Sequence, residues 1–441
     1  GWYKLSGTLT GANESREYGV LVKKGKTVVV DDFTLSKSGT YSVYTTTAYS
    51  NAQVITWDSF AASTTGSGNA NVVFQLCTND GSTCESGNSW QYWNGTSWTT
   101  ASNTTSHVNT AEQLTESVMQ ALSVTSQKIS VKAILNFGGA DTPTLSTISI
   151  GLTTDTTPPT TNASAIAMTK TKGDVSIASN GWTNNAAPYF SWTAGADNAG
   201  GSGLKGYCVY LGTDPNGDPA TSKGLLGTSP VSTTGTTCQF IVSSTSIDFA
   251  TGSLRGDPWL TSSSDPYYVN IKAVDNGGNV FPGSAASFHF RFDSTIPTNV
   301  SYISCASGSF ANVVDMNFSW PTSGGGASSD AHAGLLGWQY QINSTAGTWL
   351  GTTTEADLGL DYISASDTSR TLTQAQDGGS IVSGNNVVYF RSVDTAGNIS
   401  ADDTIRTCNL AYGGAAPAFD SLDKVTVTPS TSTSNSYALS W

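Results

Sequence analysis

Asp214, Asn216 and Asp218 place side-chain oxygens at alternate positions of a Pro/Gly-containing stretch, the spacing with which calcium loops gather their ligands. An EF-hand would end on a bidentate Glu at its twelfth position, where this chain has Leu225. More oxygens recur further along. Asp197 precedes a Gly-rich loop, and Asp275 with Asn279 and Asp394 with Asn398 share the pattern D-x-x-G-N. Asp and Asn also build Asx-turns with no metal, so each set reads as calcium or turn. Asp214, Asn216 and Asp218 form the best single local set for calcium, the one cofactor considered.

Other patterns point away from catalysis. Gly201, Gly203 and Gly206 fit G-x-G-x-x-G, but a dinucleotide site needs a helix next. Alternating Tyr207, Val209 and Leu211 predict a strand instead, so the glycines are expected to serve a tight loop entering it. The run from Gly19 to Thr27 has one residue too many for a phosphate loop and joins two Val-rich strands. The histidines are His107, His289 and His332, and neither G-x-S-x-G nor H-E-x-x-H occurs. The pairs Asp31-Asp32 and Asp402-Asp403 are adjacent, so in strands they would point to opposite faces. No enzyme is expected within these residues.

Asn94-Gly95 predicts a two-residue hairpin turn. That register sets Trp93 opposite Thr96 and Gln91 opposite Trp98, with Trp93 and Trp98 on one face and Trp90 and Tyr92 on the other. An exposed Trp93/Trp98 platform would stack sugar rings, and the competing reading is core packing.

The surrounding composition sets the class. Of 441 residues only 12% are charged, while 12 Trp, 17 Tyr and 15 Phe supply apolar area; with abundant Thr and Val this favours strands. A net charge of −13 argues against nucleic acid and anionic membrane surfaces. No apolar run is long enough to span a bilayer. The six cysteines fall one pair per region, suggesting bridges Cys77–Cys84, Cys208–Cys238 and Cys305–Cys408 and an oxidising, extracytoplasmic location. Six reduced buried thiols are the alternative.

Three segments end alike: Tyr189-Phe190-Ser191-Trp192, Asn317-Phe318-Ser319-Trp320 and Tyr437-Ala438-Leu439-Ser440-Trp441. The first two are followed by Gly203-Leu204-Lys205-Gly206-Tyr207 and Gly334-Leu335-Leu336-Gly337-Trp338, then by A-V-D-x-x-G-N and S-V-D-x-A-G-N endings. Asp155-Thr156-Thr157-Pro158-Pro159 and Asp293-Ser294-Thr295-Ile296-Pro297 open the repeats. On these residues the chain resembles bacterial Ig-like repeats, fibronectin-III-like in outline, over about 155–415. The resemblance implies tandem β-sandwiches on a secreted surface protein.

The expected architecture is therefore all-β. It has a jelly-roll-like sandwich at 1–154, Ig-like modules at 155–292 and 293–415, and the start of another at 416–441. That last copy stops at its second strand, which reads as truncation or as strands lent to a neighbour. Within 1–154, strands are expected near 18–23, 27–33, 41–47, 53–57, 72–77, 129–136 and 145–150. One helix is expected at 111–122, with a Thr110/Gln113 capping box and Leu114, Val118 and Leu122 on one face. Three functions fit: a structural element of a bacterial surface or extracellular assembly (S-layer-like lattice, filament or stalk), an adhesin or carbohydrate binder, or an accessory region of a larger secreted enzyme. The first implies self-association and the second a glycan.

Overall fold

The computed structural model describes residues 2–11, 14–23, 34–38, 41–46, 48–51, 53–66, 70–79, 84, 89–103, 105–137, 143–250, 252–256, 259–413, 426–429 and 437–440. The expected strand at 27–33, the phosphate-loop-like run beyond Lys23 and Asp31-Asp32 lie outside them. The described chain is nearly all β, as composition implied.

Trp2–Gly11 pairs antiparallel with Glu14–Lys23. Next comes a two-layer unit. Its larger sheet runs Thr34–Ser38, Tyr41–Thr45, Lys128–Asn136, Asn71–Cys77, Gln91–Trp93, Trp98–Thr100, with Tyr49–Ser50 also paired to Lys128–Asn136. The second layer is the long antiparallel pair Val54–Thr65 and Thr144–Thr154. Alternation buries Ile148, Ile150 and Leu152 on one face, in one core with Phe74, Leu76, Val131 and Ala133.

Leu114, Val118 and Leu122 join that core as their spacing implied, but the helix is not continuous. A 3₁₀ turn at Ala111–Gln113 is followed by an α-helix at Glu116–Gln120. Thr110 N–H donates to Gln113 Oε1 at 2.9 Å, completing the box. Thr115 then adopts extended dihedrals and starts the helix afresh.

The Asn94-Gly95 turn also departs from expectation. The loop is four residues long, so Trp93 lies opposite Trp98 and Gln91 opposite Thr100. Asn94 Oδ1 accepts the N–H groups of Thr96 and Ser97, both at 2.9 Å. This Asx-turn satisfies two loop donors that a two-residue turn would not contain.

Two further sandwiches share one plan. In the first, a sheet of Ser176–Ile177, Ser164–Thr169, Tyr189–Thr193 and Ser246–Asp248 faces a sheet of Trp182–Thr183, Ala286–Phe292, Tyr267–Asp275, Leu204–Gly212 and Ile241–Val242. In the second, Ser304–Cys305, Asn317–Ser319 and Ser369–Thr371 face Ser309–Phe310, Arg406–Tyr412, Gly384–Asp394, Leu335–Ile342, Leu360–Ser364 and Thr353–Glu355. In both, a short early segment runs parallel to the last strand.

The repeated aromatics fill the space between layers. Trp192 meets Tyr207 at 5.4 Å between ring centroids, and Trp320 meets Trp338 at 5.1 Å. Edge-to-face and tilted rings favour such pairs beyond their buried area. The second glycine of G-L-x-G marks a register shift in each module. A Cβ on Gly337 would fall 1.8 Å from the Ile363 carbonyl oxygen, and one on Gly206 2.2 Å from that of Val242. Only glycine lets those strands close. Beyond the second sandwich, Thr426–Pro429 pairs antiparallel with Tyr437–Ser440.

All three expected disulfides are present: Cys77–Cys84, Cys208–Cys238 and Cys305–Cys408. Cys305 and Cys408 belong to strands of opposite layers, so their bridge joins the two faces of the second module.

Candidate cation-binding junctions

The D-x-T openings, the Gly-rich loops and the D-x-x-G-N endings converge. Asp155 follows the strand Thr144–Thr154, Asp197 lies in the turn after Tyr189–Thr193, and Asp275 closes Tyr267–Asp275. One carboxylate oxygen from each lies within 4.8 Å of the others. Asp293, Asp330 and Asp394 form the same cluster one module later.

Most of the wiring repeats from one module to the next. Asp155 accepts the N–H groups of Thr157 (3.0 Å) and Ser202 (2.7 Å), and Asp293 those of Thr295 (2.8 Å) and Ala333 (3.0 Å). Asp197 accepts Gly203 N–H, and Asp330 accepts Gly334 N–H. Asn279 N–H and Nδ2 grip both oxygens of Asp275, while Nδ2 also reaches the Asp155 carbonyl at 3.1 Å. Asn398 does the same for Asp394 and the Asp293 carbonyl. Each cluster thus ties the segment entering a sandwich to two of its loops.

These contacts hold the carboxylates together at an electrostatic cost. Burial raises the Asp394 pKa to about 6, against the Asn398 hydrogen bonds and with the charges of Asp330 and Asp293 adding to the rise. Burial likewise raises Asp275, opposed by Asn279 and reinforced by Asp155 and Asp197. Burial also works against charge on Asp155 and Asp293, but their N–H donors outweigh it and both lie below the ordinary value. Oδ1 of Asp330 is shut off from solvent without a hydrogen-bond partner, a costly state for a carboxylate oxygen. A hard divalent cation would satisfy that oxygen and remove the mutual repulsion. An all-oxygen donor set suits a hard cation such as calcium better than zinc, whose sites draw chiefly on Cys and His.

The sequence-predicted calcium set is placed differently. Asp214 Oδ1 accepts Asn216 N–H at 2.9 Å, and Asp218 accepts Ala220 N–H at 3.0 Å and pairs with Lys272 Nζ at 3.2 Å. The Asp214 and Asp218 carboxylates thus serve local turns and an ion pair. Trp93 and Trp98 meet edge to face at 6.1 Å and pack against the N-terminal core, with Trp98 Nε1 donating to the Val118 carbonyl at 2.9 Å. Trp90 lies buried with the Cys77–Cys84 bridge, and Tyr92 stacks on His107. Gly203 and Gly206 both have positive φ and enter the strand Leu204–Gly212 as expected. His107 and His289 each contact a serine hydroxyl, Ser102 and Ser179, and each stacks on a tyrosine.

In the sequence Asp155 and Asp293 stand out as module openings, not as partners of the distant endings, and nothing local marks Asp330. The available signal was an Asp six residues before Gly203-Leu204 and another four residues before Gly334-Leu335. The unequal spacing concealed it.

No family model matches the chain, and no curated protein matches it. Among solved structures, the chicken CNTN1 FN1–FN3 domains are similar at 11% identity and a TM-score of 0.28, covering 88% of this chain and 100% of that one. The fibronectin(III)-like modules of Clostridium thermocellum CbhA are similar at 11% identity and a TM-score of 0.27, covering 56% of this chain and 95% of theirs. The sandwich architecture follows from the strand pairing alone. Among the described residues no helix is long and apolar enough to cross a bilayer.

Proposed function

We propose that this chain is a structural element of an extracellular or bacterial cell-surface assembly: a row of β-sandwich modules whose junctions are stiffened by calcium. The observation that carries the reading is the repeated three-aspartate cluster, in which Asp155 or Asp293 comes from the segment that enters each sandwich. A cation gripping that segment and two loops of the next module restricts how successive modules swing. Three disulfides support an oxidising location.

Small-angle scattering of the full chain tests the stiffening. With millimolar calcium the profile should be that of a rod. With chelator the maximum dimension should shorten or its distribution broaden while far-UV circular dichroism stays constant. Identical profiles would contradict the stiffening. The assembly itself, whether lattice, filament or stalk, is tested by electron microscopy, where elongated self-assembled particles are expected and compact monomers alone would count against it.

A further inference from the structure

The outer face of the second module's larger sheet carries a cleft of about 510 Å³ lined by Thr345, Trp349, Tyr389, Arg391, Asp402 and Thr407, with Ile405 at its side. Its volume falls in the range of small-molecule sites. The guanidinium of Arg391 lies 3.9 Å from the ring centroid of the buried Trp349, and Nε donates to Gln339 Oε1 at 3.0 Å. Stacking and that hydrogen bond fix the plane of the group. Its two terminal amino groups make no hydrogen bond among the described residues.

The first module shows what this position looks like when it is closed. Lys272 stands three residues before Asp275, as Arg391 stands three before Asp394. Lys272 is neutralised by Asp218 at 3.2 Å. Asn270, at the position of Tyr389, donates to the Pro215 and Gly217 carbonyls. A loop therefore fills the first module's face, whereas in the second the cation is pre-oriented beside an open cleft.

We propose that this cleft binds a neutral saccharide. Two coplanar N–H donors on Arg391 suit the vicinal hydroxyls of a pyranose, Asp402 accepts from hydroxyl groups, and Tyr389, Thr345 and Thr407 both donate and accept. The Tyr389 ring and Ile405 provide an apolar wall for C–H faces. Asp402 beside Arg391 leaves the site without net charge, which favours a neutral ligand over a carboxylate or phosphate. The cleft shares no residue with the junction clusters or with the Trp93/Trp98 pair.

The test is ligand-observed NMR on the full chain with methyl α-glucoside, methyl β-galactoside and N-acetylglucosamine, alongside glucuronate and inorganic phosphate. At least one neutral sugar should bind. Arg391→Ala should weaken it about tenfold or more, as expected for losing charge-assisted hydrogen bonds. Thr407→Trp, at an exposed residue, should block the cleft without touching the Arg391–Trp349 stack, and decides the matter if Arg391→Ala fails to fold. Adding a calcium chelator should leave sugar binding unchanged, which separates this site from the junctions. No binding by any neutral sugar, or binding unaffected by Thr407→Trp, would overturn the proposal. So would preferential binding of phosphate or glucuronate that tightens in Asp402→Asn.

Discussion

Asn398 Nδ2 donates to Asp394 Oδ2 at 2.8 Å and to the Asp293 carbonyl at 2.9 Å, so one amide ties the end of a core strand to the segment that opens its module. Asn279 holds Asp275 and Asp155 in the same way. The D-x-x-G-N ending is thus a clamp as well as a turn. Asn398→Ala should destabilise the protein by about 1–3 kcal/mol through unsatisfied buried acceptors, measured by chemical denaturation. It should also weaken calcium binding, because Asp394 loses the partner that orients it.

Calcium should raise the melting temperature. A ligand at a hundred times its dissociation constant stabilises by about 2.7 kcal/mol. Calorimetry of chelator-treated protein should show an upward shift on adding calcium, smaller in Asp330→Asn. A melting temperature insensitive to both calcium and chelator would remove the junction site.

The pH dependence has a defined sign. The folded pKa of Asp394 is raised to about 6, chiefly by burial. Its contribution to stability is therefore full below the unfolded value near 3.8 and is lost as pH rises through about 6. In chelator, the second module should melt at a higher temperature near pH 5 than near pH 7.5, and Asp394→Asn should flatten that slope. Asp155 and Asp293 are lowered and act in the opposite sense only as pH falls toward the ordinary carboxylate range. In calcium the benefit of acid should shrink, because protons compete with the cation.

Much of the fold was legible. Trp192, Trp320 and the G-L-x-G strands announced two sandwiches, because core aromatics and alternation leave a local periodic trace. The cysteine pairing was legible from one pair per region. The turn after Trp93 was not, since Asn94 can close either a two-residue or a four-residue loop and its side-chain acceptor decided between them. The junction clusters were hidden for a different reason. Their carboxylates come from segments up to 120 residues apart, Asp155 and Asp275 for example, whereas Asp214, Asn216 and Asp218 are conspicuous because they are local. Gly337 was visible as a repeated glycine, but its reason, the Ile363 carbonyl, lies on a strand that sequence order does not reveal.

Gly337→Ala should accordingly destabilise the second module by about 1–3 kcal/mol, the range for overpacking a close approach. Gly334→Ala, at a positive φ but with no atom near its Cβ, should cost less. Urea denaturation of the two variants side by side checks the order.

Removing the Cys305–Cys408 bridge should cost more than removing Cys77–Cys84. The first closes 103 residues and the second 7; in the chain-entropy picture loops of these sizes differ by about 2 kcal/mol. Paired Cys→Ala variants, compared by denaturant midpoint, test this ranking.

The most direct measurement is a calorimetric titration of chelator-stripped protein with calcium. The junction account predicts saturable binding at two sites, one for each aspartate cluster, with one site lost in Asp155→Asn and the other in Asp330→Asn. Absence of saturable binding at millimolar calcium, or binding unchanged in both variants, would contradict it.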